Sequence, residues 1–320
     1  MGKVIEITRR SIHAFFQSYH SFATTAALLV FPVSAATLLS QSLTLSSSPI
    51  LRTVSSRLRL LFEAAGFPAT SQFFSLLSFK LSQTILTSIS TLPFTLIFQI
   101  LAKASVIQII HEFPRCRLAL PPLSSLLHLY PSLLLTQLTN SLAVLSANAT
   151  IFSILLLVFN VADILHLSSS NSMLVLSAAS AILYSIVIAN AMVACNLAMV
   201  ISATENNGGY LSILKALVLI RGKTATAITL ALPASLSMTA VEALFQCRVM
   251  RPYRLSGKSN PSVIWEAFLI TYIYSLLVVL DTIIICMFLK SCKRDEGSHW
   301  YEYDCQTDSD EPEAKGALQA

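Results

Sequence analysis

Asp281 stands where a charge is costly. It interrupts the apolar run 267–289, and no other Lys, Arg, Asp or Glu occurs in that run. A carboxylate in such a setting must face protein or water and find a partner. Two chemistries fit: a relay for a proton or ion, or a fixed pairing between helices with Lys103 or Arg221 supplying the base. Glu242 is the second acid of this kind, near the end of the run 224–245. Arg248 is six residues further on, a spacing that does not stack two side chains on one helical face. Glu242 therefore reads as an anchor, capping a helix or pairing with Arg52 or Arg57. The amides Asn190 and Asn196, with Asn140 and Asn148, lie in further apolar runs. Such groups hydrogen-bond between helices for roughly 1 kcal/mol each, or they line a polar path.

Other chemistries lack their residues. No HExxH, GxSxG or GxxxxGK[ST] pattern occurs, and the six histidines are scattered without a ligand pair on one helix. The six cysteines form no CxxC and no zinc-type Cys/His spacing. We therefore expect no catalytic, cofactor-binding or metal-binding residues and no enzyme activity. Cys292, just past the last apolar run, is a candidate for palmitoylation. The net charge is +5, but half of the 16 acids lie after Arg294, so the body is basic and the tail acidic. Bases beside apolar runs set topology and meet lipid headgroups. No nucleic-acid-binding motif accompanies them, so the expected partner is the lipid bilayer and not nucleic acid.

The elements that must position these residues follow from hydropathy. Hydrophobic residues make up 54% of the chain and charged residues 12%, about half the charged share of an ordinary soluble domain. Residues 118–162 contain no charge at all, more than twice the roughly 20 residues a bilayer-crossing helix needs. We expect an all-α, polytopic transmembrane helix bundle of about six spans. The spans fall near 21–43, 81–101, 133–159, 173–202, 224–245 and 267–289, within a domain covering 1–290. Interfacial amphipathic helices join them. Residues 1–20 form a surface entry, and Leu51, Val54, Leu58, Leu61 and Phe62 make an apolar stripe. Segment 210–223 is a half-buried helix between the fourth and fifth spans. Residues 291–320 read as a disordered acidic tail. The basic residues favour the side holding both termini, which places both in the cytosol.

The central block carries a resemblance. Leu214-Lys215-Ala216 with Leu219-Ile220-Arg221-Gly222-Lys223-Thr224, then Glu242-Ala243-Leu244-Phe245 and Arg248-Val249-Met250-Arg251, resembles a plant family of uncharacterised six-span transmembrane proteins. It is more faintly similar to the membrane domain of some bacterial glycerophosphodiester phosphodiesterases. The resemblance implies a fold and a membrane location; it implies no reaction, since no phosphodiesterase catalytic domain is present. The expected role is non-enzymatic: a protein of the endomembrane system or plasma membrane that organises lipids or binds protein partners through its C-terminal tail. The alternative is a small-solute or ion transporter or channel built on Asp281, Lys103 and the intramembrane asparagines.

Overall fold

The computed structural model of the chain describes residues 2–45, 49–64, 72–112, 123–164, 170–206, 208–252 and 261–309. Among these the only regular structure is helix. Helix α1 is Gly2–Gln17, and α2 covers 19–45 as Tyr19–Thr25, a π-helical turn Ala26–Val30, and Phe31–Leu45. Helix α3 is Pro49–Ala64. Helix α4 covers 72–112 as Gln72–Phe94, a π turn Thr95–Gln99, and Ile100–Glu112. Then come α5 (Leu123–Ile164), α6 (Ser170–Glu205) and the short α7 (Tyr210–Ile220). Helix α8 begins as Thr224–Phe245 with a π turn Gln246–Met250, and α9 is Pro261–Ser309.

Six stretches are long and apolar enough to cross a membrane: Tyr19–Ser40, Leu81–His111, Ser124–Leu155, Ala178–Glu205, Thr224–Met250 and Ser262–Arg294. Helix is what such sequences must form in lipid, because it satisfies every backbone N–H and C=O within the segment. Each π turn adjoins a proline: Pro32, Pro93 or Pro252. A proline ring presses on the carbonyl four residues back and donates no N–H; for Pro32 and Pro252 that carbonyl, of Leu28 or Arg248, lies inside the π turn, and widening the helix there relieves the contact. In α2 the Phe31 N–H accordingly donates to Ala26 O, one residue further back than in an α-helix.

Helix α9 is the centre of the bundle, packing against α1, α2, α4, α6 and α8. Half of its apolar window is buried, against 11% for those of α4, α5 and α8. Those three present large apolar side chains outward, Ile89, Leu142 and Leu236 among them, and acyl chains are the surroundings in which such a surface is stable. The main core joins Phe22 and Val30 of α2, Val106 of α4, Leu197 of α6, Ala216 of α7 and Ile283 of α9. Helix α1 lies on this core through Ile7, with Ile5, Ile12 and Phe16 exposed. In α3 Leu51 is buried and Val54 and Leu58 are half-buried, but Leu61, at the far end of the stripe, is exposed.

Two boundaries differ from the sequence reading. The second span does not stop at Leu101: α4 runs on to Glu112, so Lys103 lies inside the crossing helix. Helix α9 likewise continues to Ser309, through much of the stretch read as a disordered tail. The helix is already nucleated in the membrane, extension then costs little per residue, and no proline occurs until Pro312. Residues 310–320 lie outside the described part.

Candidate functional site

Three of the polar residues singled out from the sequence meet at mid-bundle. Lys103 sits on α4, half-buried, and its Nζ donates to Asn196 Oδ1 on α6 at 3.2 Å. Asp281 on α9 interacts with Lys103 through space. No ion pair within 4.0 Å forms at Asp281 among the described residues. Three spans thus contribute a base, an amide and an acid to one region, with the acid held off from direct contact. Opposite charges in a low-dielectric setting compensate each other more strongly than in water, and that offsets part of the cost of placing either in the bilayer.

A cavity of about 230 Å³ adjoins this group, between α2, α4 and α9. Its polar lining comes from Ser34, Thr37, Gln99, Lys103, Tyr274 and Thr282, and valines and an alanine complete the wall. The last residues of two π turns, Val30 and Gln99, both lie on it. Thr37 and Thr282 spend their hydroxyl protons on the carbonyls of Val33 and Val278. Tyr274 donates to Glu242 Oε1 at 3.0 Å. Ser34 is only 1% exposed, yet its Oγ finds no hydrogen-bond partner among the described residues.

The remaining candidates lie elsewhere. Arg221 is exposed at the turn between α7 and α8 and does not approach Asp281. Glu242 is held by Tyr274 of α9 rather than by Arg52 or Arg57. Asn190 turns back onto its own helix, donating to Ile186 O. Asn140 joins α5 to α6 through Cys195 O at 2.9 Å, and Asn148 accepts from Tyr184 OH at 2.8 Å. Cys292 is 2% exposed within the main core, whereas Cys247 is exposed. Acylating Cys292 requires that end of α9 to part from the core. Among the described residues no three His, Cys, Asp or Glu side chains gather as a metal ion would need.

A second polar cluster went unnoticed in the sequence. Ser202 of α6 meets Ser132 and Thr136 of α5 at 3.1 and 2.8 Å, and Gly209 N donates to Thr136 Oγ1 at 2.9 Å. Gly209 has φ 81° and begins α7. A Cβ on Gly208 would come within 2.8 Å of Ser132 O. This clasp sets the entry of α7, whose buried face is Ser212, Ile213, Ala216 and Ile220. Ser212 is thus on the inner side, although its position on a helical wheel groups it with Lys215. At the same end of the bundle Glu205 accepts from Lys215 at 2.6 Å and from Lys293 at 3.1 Å, and Lys290 donates to Ile110 O.

Fold and site together define a multi-pass α-helical membrane protein with a charged group enclosed among its spans. The chain belongs to a family whose model, described as a domain of unknown function (DUF8558), matches residues 2–298. No curated protein and no solved structure matches it.

Proposed function

We propose that this protein moves a small solute or ion across its membrane and performs no covalent chemistry. One observation carries the reading: Lys103, which joins Asn196 of a second span and faces the charge of Asp281 on a third, lines a cavity between the helices. Ionisable groups within a bilayer mark substrate and ion pathways, because their cost is otherwise unrewarded. A purely structural pairing favours direct contact, and Asp281 forms none with Lys103. The alternative role, organising lipids or partners through the C-terminal tail, draws on the acidic residues after Arg294 and on no contact in the bundle. The likeness to a plant six-span family and to the phosphodiesterase membrane domain brings an expected address, the endomembrane system or plasma membrane with both termini cytosolic. It brings no reaction.

The test is reconstitution of the full chain into liposomes, with influx of protons, potassium, chloride and small organic acids followed against protein-free vesicles. Flux above the empty vesicles for at least one solute is expected, reduced at least tenfold by Asp281→Asn. Flux equal to empty vesicles for every solute, or an Asp281→Asn variant of normal yield with full activity, contradicts the reading.

A further inference from the structure

The cavity beside Lys103 presents hydrogen-bond donors that are not committed elsewhere. An ammonium carries three N–H groups, and Lys103 gives one of them to Asn196. The Ser34 hydroxyl is buried and unpartnered among the described residues, and the half-buried Gln99 amide lies on the same lining. The hydroxyl protons of Thr37, Thr282 and Tyr274 are already committed. An unpaired donor buried away from water is costly; a hydroxyl and an amide can also accept, so it is the Lys103 ammonium, which cannot, that favours an accepting group. Hydrogen bonds to an ionised acceptor are roughly twice as strong as neutral ones.

Size narrows the ligand further. At about 30 Å³ per water, 230 Å³ holds about eight waters, and it is smaller than drug-sized pockets of roughly 300–1,000 Å³. Most of the lining surface is apolar, with Val33, Val106 and Val279 among it. A small anionic head with a short apolar tail fits both faces. The π turns of α2 and α4 bear on the same place, since Val30 and Gln99 end them, and such turns recur at functional sites.

We infer that the cavity between α2, α4 and α9 is a binding site for a short-chain monocarboxylate, with Lys103, Ser34 and Gln99 holding the carboxylate and the valines holding the tail. This rests on the transport reading and names its substrate class. Asp281 is then the internal anion that compensates Lys103 when the site is empty, and it competes with the ligand for that charge.

Equilibrium binding to the full chain in nanodiscs tests this apart from transport. The probes are butyrate, its neutral counterpart butyramide, and palmitate as the same head group on a long chain. Butyrate is expected to bind and butyramide to bind at least tenfold more weakly. Ser34→Ala is expected to weaken butyrate about tenfold, and Asp281→Asn to tighten it several-fold. Lys103→Met/Asp281→Asn removes both charges together and so stays balanced; it is expected to lose butyrate while retaining its helix content. Equal binding of butyrate and butyramide, full binding by the charge-neutral double variant, or no butyrate binding overturns the assignment. Palmitate binding that excludes butyrate also overturns it, by assigning the carboxylate to a lipid. Flux of another solute without butyrate binding removes the substrate class and leaves the transport reading standing.

Discussion

At the scale of single residues, the balance between Lys103 and Asp281 decides what each substitution does. Lys103→Met leaves a carboxylate in the membrane without its base, a change that costs up to about 3 kcal/mol. Adding Asp281→Asn to it should restore most of that loss, because no charge is then left uncompensated. Thermal unfolding of the single and double variants in detergent checks the order: the double variant should melt above Lys103→Met. A double variant less stable than both singles would show that the two charges do not interact. Asp281 was legible in the sequence because a lone carboxylate in an apolar run has few explanations. Lys103 was legible as a partner but was placed at a helix end, since a charge usually closes an apolar run and here the helix continues for nine more residues to Glu112. Gln99 lies one helical turn from Lys103, and that spacing was the available signal. Ser34 gave none: the spans are rich in serine, and only packing shows which hydroxyl lacks a partner.

At the scale of elements, the join between α6 and α7 depends on two glycines and three hydroxyls. The turn was readable from Asn206 to Gly209, but its docking onto α5 was not, because Ser132 and Thr136 are distant in sequence and carry no charge. Gly208→Ala pushes a methyl group against the Ser132 carbonyl, and overpacking of this kind costs about 1–3 kcal/mol. Thr136→Val removes the acceptor of the Gly209 N–H, and a buried donor left unpaired costs about 1–3 kcal/mol. Both variants should lower the melting temperature and speed amide exchange in α7, read by hydrogen–deuterium exchange. Unchanged exchange in α7 would mean that the clasp does not hold it. The Glu205 contacts with Lys215 and Lys293 join the same region but are partly exposed, and pairs of that kind contribute about 0–1 kcal/mol.

At the scale of the whole molecule, the six-span bundle followed from hydropathy, while the arrangement of the spans did not. Apolar runs give length and number; which helix takes the centre depends on which faces find partners, and α9 does so on five sides. That arrangement leaves Cys247 exposed on the outside of the bundle and shields Cys195, Cys286 and Cys292. In a Cys116→Ser/Cys305→Ser background, a small permeant maleimide applied to the folded protein in detergent should label Cys247 ahead of the other three, which react fully only on denaturation. The central claim, that the enclosed charges serve passage of a solute, is tested most directly by uptake of labelled butyrate into proteoliposomes. The account predicts uptake by the wild-type chain and none above empty vesicles for Lys103→Met/Asp281→Asn incorporated to the same level. Uptake by that charge-neutral variant at the wild-type rate would contradict it.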